Sequence, residues 1–171
     1  MNRRLFWNPK WLAEVFVVQA DRPHQIDWVM HFNGQACKTP ATAAVTPFSQ
    51  NPPFCFLDKM RPLAASQELI NTYQTQDIYT TIYTSQQNHH LYQGLGPGNP
   101  SDEKITYLIE RTSGKQAIFC HLIEIRKDAP TIENVKFDLT GKDATIRIKE
   151  KQKTILLQMK DQLPIQITEL N

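Results

Sequence analysis

Apolar residues along this chain recur at every position or at every second one, and almost nowhere at the three-to-four-residue spacing of a helix. Residues 11 to 18, WLAEVFVV, are rich in β-branched and aromatic residues and apolar at nearly every position. A short run of that kind predicts a strand covered on both faces and central in its sheet. After the turn signal Asp21-Arg22-Pro23 comes HQIDWVMHF. Its alternation puts Gln25, Asp27, Val29 and His31 on one side and Ile26, Trp28, Met30 and Phe32 on the other, which predicts a half-buried strand with Trp28 facing the core.

From Asn33 to Pro62 prolines are too frequent for a regular element, so a long surface loop with one short strand is expected, with Phe54, Phe56 and Leu57 packed against the body. LAASQEL could open a helical turn. The following INTYQTQ and DIYTTIYTSQ are rich in Thr, Tyr and Ile and predict two strands. The glycines and prolines of LYQGLGPGNPSDE predict a turn. KITYLIERTSGKQAIFCHLIEI then predicts two apolar strands joined as a hairpin at Thr112-Ser113-Gly114-Lys115. ENVKFDL, ATIRIKE and KTILLQM alternate apolar with charged residues, and predict a meander with one wet face.

About eight to ten closely spaced strands without βα alternation predict an all-β antiparallel sandwich, with residues 1–171 as one domain. At 171 residues the chain is long enough to bury a core without disulfides or metals. Its 19 basic and 17 acidic side chains are mixed along the sequence, which advertises neither nucleic acid nor a membrane surface. Cys37, Cys55 and Cys120 are odd in number and show no zinc-type spacing, so buried free thiols are expected. The N-terminal MNRRLFWNPKW has no continuous apolar segment and reads as no signal peptide.

Candidate chemistry is sparse. His24, Asp27 and His31 are metal-type ligands, but strand geometry turns His24 away from the other two, so no metal site is assigned. His89 and His90 sit in a Gln- and Asn-rich stretch and read as solvated loop. No nucleophile elbow, zinc-protease helix, P-loop or dinucleotide fingerprint occurs, and no catalytic residue is assigned. The stretch from Gln67 to Gln93 is poor in charge and dense in Gln, Asn, Thr, Tyr and His. Such side chains suit hydroxyl-rich ligands and equally make an ordinary exposed sheet.

Two stretches carry a resemblance. RRLFWNPKWLAEVFVVQADRPHQIDWVMHFNG holds a strand, a turn, and then His24-x-x-Asp27-Trp28-x-x-His31 before Gly34. GLGPGNPSDEKITYLIERTSGKQAIFCHLIE holds a glycine- and proline-rich segment, an Arg-Thr-x-Gly-Lys hairpin and a strand from Phe119 to Glu124. Together they resemble the C-terminal β-sandwich region of heparinase II/III-like polysaccharide lyases, the alginate and heparan-type lyases. In that family a base removes the C5 proton of a uronic acid and the glycosidic oxygen leaves. The family's catalytic Tyr and Asn lie in an N-terminal helical toroid, and its metal-linked histidines precede the matched stretch, so none of them maps onto this chain.

The resemblance implies a non-catalytic module that supports the toroid of the same enzyme and contacts a uronic-acid polysaccharide or oligosaccharide. It implies no cofactor in this segment, although the parent family holds a divalent metal elsewhere. It also implies a periplasmic or extracellular setting for the parent protein, while the chain's own sequence, which shows no signal peptide, leaves the cytoplasm open. The alternative is a stand-alone carbohydrate-binding sandwich. For substrate contact the candidates are His31, Tyr79, Tyr83 and Tyr92, with Trp28 as a further stacking platform. Tyr79 and Tyr83 share a face of their strand. An active enzyme built around His31 and a tyrosine is the third reading.

Overall fold

The computed structural model describes residues 1–38, 44–45, 48–64, 69–85 and 89–170. It is all-β and antiparallel, with twelve strands among the described residues in sheets of eight and four. The strands are β1 (Asn2–Trp7), β2 (Trp11–Phe32), β3 (Gln35–Lys38), β4 (Asp58–Pro62), β5 (Leu69–Thr75) and β6 (Ile78–Thr84). They continue with β7 (His90–Pro97), β8 (Lys104–Arg126), β9 (Ile132–Thr140), β10 (Asp143–Glu150), β11 (Lys153–Met159) and β12 (Gln166–Leu170). The sandwich expected from the alternation is therefore present.

Two strands dominate it. β2 and β8 pair from Trp11 with Glu124 to Phe32 with Thr106, a ribbon spanning both stretches that carry the family resemblance. The turn expected at Asp21-Arg22-Pro23 and the hairpin expected at Thr112 to Lys115 are not chain reversals. They face each other in the ribbon, where the register shifts between Gln19 and His24. The extra residues on β2 act as a bulge, which bends a strand pair without ending it. The bend folds the ribbon back on itself. Trp28 Nε1 donates to Glu14 Oε2 at 3.1 Å although the two are 14 residues apart on one strand, a separation that would span about 46 Å if the strand ran straight.

The fold-back divides the eight-stranded sheet into two leaves. The middle leaf holds β1, the first half of β2, the second half of β8, and β6, β5 and β3. The outer leaf holds the second half of β2, the first half of β8, β7 and β4. The run WLAEVFVV lies in the middle leaf and is covered on both faces, as its pattern predicts. Trp11, Ala13, Val15 and Val17 enter a first core against Ile146, Ile148, Ile155, Leu157 and Met159 of the four-stranded sheet. Leu12, Phe16 and Val18 turn the other way, into a second core with Trp28, Leu91 and Leu108 of the outer leaf.

Among the described residues between Asn33 and Pro62 there are two short strands, β3 and β4, where one is expected. The helical turn suggested at LAASQEL falls largely outside the described residues. β5, β6 and the β9–β11 meander form where their Thr- and Ile-rich alternation places them, and β12 extends the meander by one edge strand. Gly98 leads into a turn as expected, its amide donating to the Glu103 carbonyl at 2.8 Å, whereas Gly94 and Gly96 lie inside β7, where neighbouring groups leave no room for a side chain. A Cβ on Gly94 would sit 2.2 Å from Met60 Sδ, and one on Gly96 2.6 Å from the Tyr107 ring. Their small size is what lets β4 and the Leu57 side chain close over β7.

Candidate functional site

At the end of the second core away from the ribbon's bend, the two leaves part to form an open cleft of about 1040 Å³. Its floor is set by the core beneath it. Phe32 packs edge-on against Tyr73 at 4.4 Å, and the Tyr73 hydroxyl donates to Gln93 Oε1 at 2.9 Å. Burial pushes the Tyr73 phenol well above its ordinary range, so it stays a donor and fixes that amide.

The walls come from different leaves. The middle leaf supplies Gln35, Gln74 and Thr75, and the outer leaf supplies Lys59, Arg61 and Lys104. Lys59 takes a left-handed backbone, φ 50°, where β4 slips its register against β7 between Asp58 and Arg61. A non-glycine residue adopts that conformation only when its surroundings impose it. Glu103 is the one carboxylate among the lining residues, against three cations. Neutral amides and a hydroxyl on one wall and a cationic opposite wall can hold a ligand that is both hydroxyl-rich and anionic.

Of the side chains proposed from sequence for sugar contact, none lines this cleft. His31 lies exposed on the outer leaf, its ring 5.2 Å from that of Tyr107. Tyr92 packs against Phe48 at 4.9 Å, within an aromatic group that also covers the Arg111 guanidinium. Tyr79 and Tyr83 do share a face of β6. That face turns to the first core, where Tyr83 is 4% exposed and its hydroxyl lies 3.4 Å from Glu124 Oε2. Tyr83 is thus enclosed, and Trp28, 6% exposed, is buried in the second core rather than offered as a platform.

The possible metal ligands are dispersed. Asp27 is held by a two-pronged contact from Arg111, Nε at 2.7 Å and Nη2 at 2.8 Å. His24 lies near Asp21, at 3.7 Å. Among the described residues no group of three or more His, Cys, Asp or Glu is placed to hold a metal ion. Glu124, the acid of the second matched stretch, accepts from the Thr131 amide at 2.9 Å and hydroxyl at 2.8 Å, which ties β8 to the link before β9.

A second polar group was missed by sequence reasoning. In the β2–β8 register Glu14 lies directly opposite His121 in the middle leaf, and Trp28 opposite Glu110 in the outer leaf; the fold-back stacks one pair on the other. His121 Nε2 bonds Glu110 Oε2 at 2.7 Å, and its ring stacks on Trp28 with centroids 3.8 Å apart. His89, expected in a solvated loop, bonds the other oxygen of Glu110 through Nδ1 and packs on Phe119. Its place just before β7, in phase with inward-facing Leu91 and Gln93, was the available signal. Arg3 closes the far end on Glu14 at 2.5 Å.

Burial acts to raise the Glu110 pKa, but the hydrogen bonds and charges of His121 and His89 outweigh it and hold the carboxyl below its usual range. The result is a chain of ionisable side chains, His89, Glu110, His121, Glu14 and Arg3, running between the two leaves. No family model matches this sequence, and no curated protein matches it.

Proposed function

We propose that this chain is a non-catalytic β-sandwich module of a uronic-acid polysaccharide lyase, which supports the enzyme's helical toroid and holds part of the anionic polymer in the cleft between its leaves. The observation that carries the polymer-holding role is the make-up of that cleft. Gln35, Gln74 and Thr75 offer neutral donors and acceptors for sugar hydroxyls, and Lys59, Arg61 and Lys104 offer countercharge for carboxylates. The resemblance of residues 3–34 and 94–124 to the lyase sandwich supports the family reading, and both stretches contribute to the same paired ribbon. A stand-alone carbohydrate-binding module is the second reading, because the cleft needs no other domain to complete it.

The test is a titration of the purified chain with uronate oligosaccharides and with a neutral oligosaccharide of equal length, followed by amide chemical shifts. Uronate should move the resonances of β3, β4 and the start of β8. Replacing both Arg61 and Lys104 by Gln should weaken that binding about tenfold or more, as expected for loss of two charge-assisted contacts. Equal response to the neutral sugar, or shifts confined to the exposed face around His31, would remove the cleft from the argument. Co-elution with a separately produced toroid tells the two readings apart.

A further inference from the structure

The buried chain His89–Glu110–His121–Glu14–Arg3 joins the same two leaves whose far ends form the cleft walls. Glu14, His121 and Arg3 belong to the middle leaf; Glu110 and His89 belong to the outer leaf and the start of β7. β7 continues from there to Gln93, Gly94 and Leu95 on the cleft. A change in how the leaves are held at the chain is thus transmitted along one short strand to the ligand site.

The charges around Glu110 define what could change. From β8 it faces His121, from the start of β7 His89, and from β2 Trp28 and, beyond His121, Glu14. β6 presents only the neutral Thr84, directly opposite His121. Arg3 is spent on Glu14, while Arg111 and Asp27 are paired with each other. Cys120 lies on the opposite face of β8, and its thiol is held neutral by burial, with Glu110 and Glu14 adding to the effect. Among the described residues, no lysine or arginine is paired with Glu110, whose side chain is 1% exposed. The groups in contact with it that can carry a countercharge are the two imidazoles.

We propose that this chain is a proton-operated clamp on the cleft, closed while the imidazole pair carries a proton as that countercharge and loosened when the proton is lost. Neutral rings can still donate one hydrogen bond each to Glu110, but a buried carboxylate is left without countercharge, which is costly in an apolar core. His89 is the one group bonded to Glu110 with measurable exposure, 8% of its side chain. Moving it outward with the start of β7 lets water reach the carboxylate. Cleft and clamp together make ligand holding stronger in acid-to-neutral than in alkaline solution, a regulation that rests on the cleft being the ligand site.

The experiment is amide hydrogen exchange across His90–Pro97 in the full chain without ligand, at about pH 6 and about pH 9, either side of the ordinary imidazole range, and corrected for base-catalysed intrinsic exchange. Protection of β7 should fall about tenfold or more at the higher pH in the native protein. In Glu110→Gln it should be the same at both, and in His89→Gln, which leaves only His121 on the carboxylate, the difference should shrink severalfold. Should Glu110→Gln not fold, His89→Gln carries the comparison. Equal native protection at the two pH values, or variants that follow the native pattern, overturns the clamp. Uronate oligosaccharide binding measured in parallel separates the two ideas: absence of binding at the lower pH with the exchange pattern intact overturns the ligand reading alone.

Discussion

Replacing His121 by alanine is the sharpest probe of the energetics between the leaves. The substitution removes the 2.7 Å bond to Glu110, the 3.8 Å stack on Trp28 and the ring facing Glu14 across 3.8 Å. All of this happens at a position with no exposed surface, so water cannot replace what is lost without opening the core. Breaking a buried ionic contact while leaving its partner behind costs about 3–5 kcal/mol. A domain of this kind has about 5–15 kcal/mol in total. With a urea dependence of about 2 kcal/mol per molar, the unfolding midpoint should drop by about 1.5–2.5 M. Removing Glu110 as well, in His121→Ala/Glu110→Ala, should cost less than the sum of the single changes by about 1–3 kcal/mol, because the stranded carboxylate is gone. A single-variant loss below about 1 kcal/mol, or strictly additive costs, would show that the two side chains do not act as a pair.

Three further outcomes follow from individual contacts. Gly94→Ala should detach β4 from β7, since its Cβ would meet Met60 Sδ at 2.2 Å and the Asp58 carbonyl at 2.8 Å. The expected loss is about 1–3 kcal/mol, read by thermal unfolding. The folded-state Glu110 carboxyl titrates below its ordinary value, so its stabilisation is fully present above the usual carboxylate range and is lost as the pH falls through the depressed value. Native protein should therefore lose more stability than Glu110→Gln between about pH 5 and pH 2, measured by urea midpoints. The cysteines are free, but only Cys120 is buried as expected; Cys37 and Cys55 are exposed because they sit on the edge strand β3 and in the short turn before β4. A thiol reagent should therefore modify Cys37 and Cys55 in the native protein and reach Cys120 only after unfolding, its thiol being pushed up by burial.

The fold was legible wherever a strand's pattern depends only on its own two faces. Trp11 to Val18 is apolar at nearly every position because each face meets a different core, and the β9–β11 meander alternates because one face meets water. What escaped was long-range. Asp21-Arg22-Pro23 and Thr112 to Lys115 carry the chemistry of a chain reversal, and only their position opposite each other makes them a bend. Gly94 and Gly96 look like turn residues until β4 and Tyr107 are laid against them. The cleft and the buried charge chain were hidden for the same reason. Gln35, Lys59 and Lys104 are unremarkable surface residues in sequence, and Glu14 is a lone charge in an apolar run. Each gains its role from a neighbour far along the chain.

The β2–β8 ribbon also bears on how the protein reaches this state. Its pairings run from Phe32 with Thr106 to Trp11 with Glu124, so the central strands of both leaves depend on closing the long loop between Phe32 and Thr106. The β5–β6 hairpin and the β9–β12 meander can form from nearby residues, but neither contains the ribbon that each core is built on. Folding should accordingly be slow for the chain's size, in the millisecond-to-second range of non-local β architectures. During synthesis the ribbon cannot be completed until Glu124 has left the ribosome, nor the first core until Met159 has. Until then WLAEVFVV, apolar on both faces, has nothing to cover it, and its exposure time is the interval in which this chain is most open to aggregation or to a chaperone.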